Sequence, residues 1–135
     1  MKNNKNKGFT LIEMLVVIAV IGILSAATLT ALGPARNKAK DTRIISALNQ
    51  VRTIAETLYD GTTGTYPATV VTGDSNFAGS TTDITNNGGA LIISRTTDFK
   101  GFAASSKLAS DATKFYCVDS TGKIGSAADA AGVCP

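Results

Sequence analysis

The chain has 135 residues, a formal net charge of +3, and neither histidine nor tryptophan. This length accommodates one small globular domain plus an anchoring segment, and it excludes two domains of ordinary size. Without histidine the chain lacks the commonest general base and the commonest metal ligand. The composition therefore predicts a protein that is not an enzyme and holds no cofactor.

The basic charge is concentrated at the amino terminus, in Lys2, Lys5 and Lys7. Apart from these three lysines, ten basic side chains balance ten acidic ones, so the charge predicts no direct binding of nucleic acid. A second basic cluster follows the apolar segment and leaves the orientation in a membrane undecided by the positive-inside rule. Three of its members are expected at the membrane surface, near anionic headgroups: Arg36, Lys38 and Lys40.

An uncharged apolar segment runs from Met14 to Leu32, directly after Glu13. As a helix it would reach about 30 Å, the hydrocarbon thickness of a bilayer. A carboxylate at the edge of such a segment indicates a function unless it stays hydrated at headgroup level. Two other interpretations of the segment remain open. One is a secretory signal cut near Ala27, and the other is an ordinary single-pass anchor.

The residues around this carboxylate resemble the amino terminus of type IV pilins and type II secretion pseudopilins, in the order Gly8-Phe9-Thr10-Leu11-Ile12-Glu13. The resemblance implies a leader peptide of residues 1–8, which a prepilin peptidase removes by cutting between Gly8 and Phe9. It also implies methylation of the new amino terminus at Phe9. Glu13 would neutralise that amino-terminal charge, in its own or a neighbouring subunit, and set the register of assembly. Such pairing is what makes burial of a carboxylate and an ammonium tolerable.

Residues 9–34 are predicted to form the transmembrane and assembly helix, with a kink or local melting at Gly33 and Pro34. Residues 35–59 are predicted to continue as an amphipathic helix, because apolar side chains recur there at three- and four-residue spacing. The members of this stripe are Ile44, Ile45, Leu48, Val51, Ile54, Ala55 and Leu58.

The head as a whole is predicted to comprise residues 35–135. The part that follows the amphipathic helix is predicted to be small and partly irregular. A turn at Gly64-Thr65-Tyr66-Pro67 also resembles pilins, and it lies in a variable loop of residues 60–90 with a short strand near residues 69–71. Apolar runs at 90–94, 101–104, 114–118 and 123–125 predict three or four antiparallel strands laid across the helix. The predicted fold class is therefore α+β and type IV pilin-like.

Residues 91–135 contain the only two cysteines of the chain, Cys117 and Cys134. A disulfide closing a loop of this size would stabilise the head by about 3 kcal/mol and would require an oxidising compartment. Two unpaired thiols in a reducing compartment are the alternative. Some pseudopilins hold calcium near the carboxy terminus, which makes Asp119 and Asp129 conceivable ligands. Two aspartates without a recognisable loop are weak support for such a site.

The resemblance implies a structural subunit of a type IV pilus, a helical homopolymer built by inner-membrane assembly machinery. The precursor would lie in the cytoplasmic membrane as a single-pass protein with its head outside, and the assembled form would be extracellular. Two alternatives remain. The first is a pseudopilin of a type II secretion or competence (DNA-uptake) system, in a periplasmic or wall-spanning filament. The second is a monomeric membrane-anchored binding module that uses residues 69–89.

Overall fold

A computed structural model describes residues 8–125 and residue 134. The chain divides into two compact units, Met1–Ala35 and Arg36–Pro135. One helix, α1 (Leu11–Thr57), contributes to both units. The predicted leader lysines Lys2, Lys5 and Lys7 lie outside the described residues.

The first unit consists of the amino-terminal part of α1. Two of its hydroxyl groups are satisfied locally: Thr28 Oγ1 donates to the Ser25 carbonyl and Thr30 Oγ1 to the Ala27 carbonyl, both at 2.9 Å. Hydroxyls bonded in this way suit an environment without water. Gly33 and Pro34 are both helical, so the predicted local melting is not seen there, and a kink at these residues stays a prediction.

The second unit has its core along one face of α1. Four members of the predicted stripe are buried, namely Ile44, Leu48, Val51 and Ala55. The other three are partly buried: Ile45, Ile54 and Leu58. Ala47 is buried beside them, although the predicted stripe did not include it. The three- and four-residue spacing therefore placed the core-facing side of the helix correctly.

A four-stranded antiparallel sheet completes this core. Its strands are β1 (Ile92–Arg95), β2 (Phe102–Lys107), β3 (Phe115–Asp119) and β4 (Ile124–Gly125), in that spatial order. The register pairs Ile93 with Ala104 and Ala104 with Val118. These three side chains belong to the same buried cluster as the α1 stripe. The predicted α+β fold, with a long amino-terminal helix and a small antiparallel sheet, is confirmed.

The region predicted as a loop contains a second helix. A 3₁₀ turn (Ser75–Phe77) leads into α2 (Ala78–Asn86), and residues 69–71 form turns instead of the predicted strand. Asp74 accepts a hydrogen bond from the Asn76 amide at 2.9 Å and so caps the turn. Phe77 and Ile84 are fully buried in the head core. This burial overrides the weak helix propensity of a segment rich in Gly, Ser and Thr.

Candidate functional site

The proposed cleavage position lies just before the first helix. Gly8 and Phe9 are exposed and precede the start of α1 at Leu11. A Cβ at Gly8 would meet no atom within 4 Å, and the φ angle at Gly8 is not positive. Within the described residues, the fold therefore places no demand for glycine at this position.

Glu13 and Thr10 form a reciprocal capping box at the start of α1. Glu13 Oε2 accepts hydrogen bonds from the Thr10 amide at 2.8 Å and from Thr10 Oγ1 at 2.7 Å. Thr10 Oγ1 in turn accepts from the Glu13 amide at 3.3 Å. These bonds satisfy amide donors that no helical carbonyl can reach. The carboxylate is thereby held close to the chain segment that would become the amino terminus.

Sequence reasoning identified Glu13 and missed Thr10. The signal was present, since a Thr followed three residues later by Glu, ahead of an apolar run, is the capping-box pattern. The box also does not depend on cleavage. Cutting after Gly8 converts the Phe9 nitrogen to an amine and leaves the Thr10 nitrogen as a peptide donor.

The apolar part of α1 presents an uncovered surface. Its large side chains keep between about half and four-fifths of their area exposed, from 48% at Val20 to 82% at Leu11. This helix is long and apolar enough to cross a membrane. Soluble monomers rarely expose a continuous apolar surface of this extent. The segment therefore requires lipid or other protein around it.

At the other end of the chain, Asp119 ties the carboxy-terminal cysteine to the sheet. Cys117 and Cys134 form a disulfide with a Cα–Cα distance of 5.8 Å, and both residues are buried. Asp119 Oδ2 accepts a hydrogen bond from the Cys134 amide at 3.1 Å. Oδ1 accepts from the Lys123 amide at 2.9 Å, and from the Thr121 amide at 2.9 Å and hydroxyl at 2.8 Å.

The Asp119 side chain is completely buried, and its charge is compensated by these donors. Burial alone would raise the pKa of the carboxyl group, but the hydrogen bonds from Thr121, Cys134 and Lys123 outweigh it and lower the pKa. Both oxygens accept hydrogen bonds from the chain, three at Oδ1 and one at Oδ2. Among the residues that the structure describes, no group of three metal-binding side chains is present. Asp129 lies outside those residues.

The turn at Gly64-Thr65-Tyr66-Pro67 packs onto the end of α1. The hydroxyl of Tyr66 donates to Glu56 Oε2 at 3.0 Å, and its ring lies 5.0 Å from the rings of both Tyr59 and Phe102. Burial and the bonded Glu56 carboxylate raise the pKa of Tyr66 to about 12. This residue joins helix, turn and sheet.

An open groove of about 550 Å³ lies between α1 and the start of α2. Its walls mix polar and apolar groups, and they include Gln50, Ile54, Asn76 and Ser80. It contains part of the segment predicted for the binding-module alternative. The groove has no cluster of charged or nucleophilic groups that would define a ligand.

The geometry thus defines a class of protein with an uncovered apolar helix and a small disulfide-bonded α+β head. Residues 3–29 match the family model described as the prokaryotic N-terminal methylation motif. The chain is 43% identical over 61 residues to fimbrial protein Q of Moraxella bovis, covering 44% of this chain and 39% of that protein. It is 54% identical over 43 residues to the type IV wide pilus major component PilA4 of Thermus thermophilus, covering 32% of this chain and 33% of the relative.

A third relative is the type IV major fimbrial protein FimA of Dichelobacter nodosus, with 42% identity over 59 residues. That alignment covers 43% of this chain and 38% of the relative, so the chain spans about two-fifths or less of the curated relatives it matches. No solved structure matches the chain. The comparisons thus show a methylation motif at residues 3–29 and a similarity to type IV pilins over part of the chain.

Proposed function

We propose that this chain is a structural subunit of a type IV pilus, made as a membrane-anchored precursor and polymerised through its apolar helix. The observation that carries the proposal is the methylation motif at residues 3–29. The partial similarity to relatives named as pilus and fimbrial proteins adds support. Those names favour a pilus over a secretion or competence pseudopilus. The filament itself provides the function, so the chain needs no catalytic group.

A prepilin peptidase removes residues 1–8 and methylates Phe9. Support for this step comes from the exposure of Gly8 and Phe9 ahead of the helix. An extended, accessible peptide is what a peptidase requires. The absence of steric demand on Gly8 within the fold is consistent with a requirement imposed by the enzyme.

Glu13 then neutralises an amino-terminal ammonium, either its own or that of a neighbouring subunit. The capping box uses Oε2 of this carboxylate, and cleavage leaves the box intact. Burying an unpaired charge in an apolar filament core costs several kcal/mol, whereas a paired charge is tolerated. A subunit added in the wrong register would leave both charges unpaired, so the pair selects the register.

Assembly covers the apolar surface of α1 with copies of itself. Small residues on this helix permit close approach of neighbouring helices: Gly22, Ser25, Ala26 and Ala27. Repeated head-to-tail addition without closure produces an open helical filament. The precursor has its amino terminus in the cytoplasm and its head outside, where an oxidising compartment supports the disulfide.

Substitution of Glu13 and Thr10 separates the charge from the cap. Glu13→Ala removes the charge and both bonds to Oε2 and leaves the amide bond to Thr10 Oγ1. It is expected to permit cleavage while strongly reducing the amount of the chain in sheared filaments. Thr10→Val removes the side-chain bonds and keeps the charge, so incorporation is expected to fall less. Asp83→Ala, which removes an exposed carboxylate of the head, is the control. Wild-type filament yield from Glu13→Ala would refute the pairing role.

Two further assays separate the alternatives. Recovery of this chain in filaments sheared from the cell surface favours a pilus, whereas a chain confined to the cell envelope favours a pseudopilus. If the chain is never processed and functions as a monomer, the membrane-anchored binding module becomes the better account.

A further inference from the structure

The two ends of the head sheet carry different loops. The register pairs Lys107 with Phe115 and Ala103 with Asp119, so residues 108–114 close one end of the sheet. Residues 96–101 and 120–123 close the other end. About five residue steps at 3.4 Å separate the ends along β2, or roughly 17 Å. This exceeds the Debye length of about 8 Å at physiological salt, so the two ends sense charged surroundings separately.

The end formed by residues 36–43 and 107–114, named here the basic end, is held together by Asp41. Asp41 Oδ1 accepts hydrogen bonds from the amides of Ala109 at 2.6 Å and Ser110 at 3.1 Å. These contacts fix the loop between β2 and β3 against residues 36–43 of α1. The basic end contains six cationic side chains. Two come from the sheet region, Lys107 and Lys114, and four come from α1: Arg36, Lys38, Lys40 and Arg43.

Both carboxylates of the basic end are already engaged. Asp41 binds the loop amides, and Asp111 accepts bonds from the amide and hydroxyl of Thr113 at 2.9 and 2.6 Å. Asp111 also lies 3.8 Å from Lys114 Nζ in an exposed pair, which contributes little. The basic end therefore has a net charge of +4, whereas the other described residues of the head have four basic and six acidic side chains.

We propose that the basic end docks the head of the precursor onto anionic phospholipid headgroups. This inference rests on the proposed function, since it requires the precursor to be held in a membrane by α1. Arg36 lies four positions after Leu32, the last residue of the uncharged apolar segment. Four residues span about 6 Å along a helix. Headgroups are thus the first charged partners within reach, and their sign is complementary.

The same charge could in principle attract nucleic acid. The position of the cluster argues for lipid, because clusters of basic residues immediately next to a membrane segment are typical of binding to anionic headgroups. The involvement of Lys107 and Lys114 goes beyond what the chain order alone predicts. The Asp41 contacts hold the loop between these two lysines next to residues 36–43.

The test reconstitutes the full chain, one copy per lipid nanodisc, in phosphatidylcholine alone or with one third phosphatidylglycerol. An uncharged acetylating reagent then modifies the lysines, and mass spectrometry gives a rate for each. An anionic surface concentrates protons about threefold, which lowers the reactive amine fraction to the same extent. Lys107 and Lys114 are therefore expected to react about threefold more slowly in the anionic discs.

Lys100 and Lys123 lie at the other end of the sheet and serve as internal controls, with unchanged rates expected. At about 1 M salt the slowing should disappear, because the Debye length falls to about 3 Å. Arg36→Gln/Arg43→Gln is expected to weaken the slowing at Lys107 and Lys114. Lys100→Gln/Lys123→Gln, which removes the same number of charges elsewhere, should leave it unchanged.

Each outcome decides one claim. A chain that fails to remain with the discs would contradict the membrane anchoring in the proposed function, and not merely the docking. A chain that inserts but shows equal lysine rates in both lipids would overturn the docking. So would slowing in Arg36→Gln/Arg43→Gln that is as large as in the wild type, because the anchor alone would then explain the proximity. Slowing by duplex DNA in phosphatidylcholine discs, without slowing by phosphatidylglycerol, would assign the surface to nucleic acid instead.

Discussion

Replacing Asp119 by asparagine should destabilise the head more than its small change in size suggests. The carboxylate is fully buried and accepts hydrogen bonds from Thr121, Lys123 and Cys134. Asparagine offers one oxygen where the carboxylate offers two. With that oxygen kept toward Thr121 and Lys123, the amide NH₂ group would face the Cys134 N–H, and two donors would oppose each other.

The size of the effect follows from these contacts. A hydrogen bond to a charged group contributes about 1.5–3 kcal/mol, and a buried donor left unsatisfied costs about 1–3 kcal/mol. The remaining bonds to a neutral oxygen are also weaker. We expect Asp119→Asn to lower the free energy of unfolding by about 2–4 kcal/mol. This is a large part of the total stability of a small domain.

Urea unfolding of the full chain in detergent micelles measures this loss. The chain has three tyrosines and no tryptophan, and all three tyrosines lie in the head, so tyrosine fluorescence reports on that unit. Asp111→Asn is the matched control. Asp111 makes the same pair of bonds to a threonine two residues later, but it lies at an exposed turn, and a change below about 0.5 kcal/mol is expected.

The pH dependence provides a second check. Because the pKa of Asp119 is lower in the folded head, its contribution is fully present above the unfolded value of about 3.9. It is lost as the pH falls through the folded value. The stability difference between wild type and Asp119→Asn should be constant from about pH 8 to pH 5 and shrink below about pH 4. Equal stability of Asp119→Asn and Asp111→Asn, or a difference unaffected by acid, would refute the reasoning.

Two other changes have defined outcomes. Gly8→Trp should leave full-length precursor in immunoblots of cell membranes. Gly22→Ala, at a site equally free of neighbouring atoms, is the control and should be processed normally. Trimmed product from Gly8→Trp would exclude the proposed cut. Cys117→Ser/Cys134→Ser opens a bridge of sequence separation 17 and should lower the free energy of unfolding by about 3 kcal/mol. Thermal unfolding of both forms measures this, and an unchanged midpoint would show that the bridge contributes nothing.

The sequence predicted the parts of the fold that depend on repeated local patterns. The spacing of Ile44, Leu48, Val51 and Ala55 identified the buried face of α1, because a helix repeats every 3.6 residues. Short runs of β-branched and aromatic residues located the strands to within a few positions. Both signals are properties of adjacent residues, so they are readable without a tertiary structure.

The helix α2 was not predictable in the same way. Ala78–Asn86 contains Gly, Ser, Thr and Asn, which are poor helix formers. Its stability comes from the burial of Phe77 and Ile84 in the head core, and this is a long-range effect. The Asp74 cap was a usable local signal for a helical start, but it does not reveal how far the helix extends.

The candidate site shows the same division. Gly8, Phe9 and Glu13 were identified from residue order, and Thr10 was detectable from its three-residue spacing to Glu13. The role of Asp119 was not detectable from the sequence, because its contact with Cys134 joins positions 15 apart. Its Asp-x-Thr turn was visible in the sequence, whereas the bond to the carboxy-terminal cysteine required the folded head.

The most direct test of the central claim is the intact mass and amino-terminal sequence of this chain from sheared surface filaments. We predict a chain that begins at N-methylated Phe9 and is two mass units lighter than its reduced form because of the Cys117–Cys134 disulfide. That result would place a processed subunit in a filament. A chain beginning after Ala27, or one retaining Met1 and never recovered in filaments, would contradict the account.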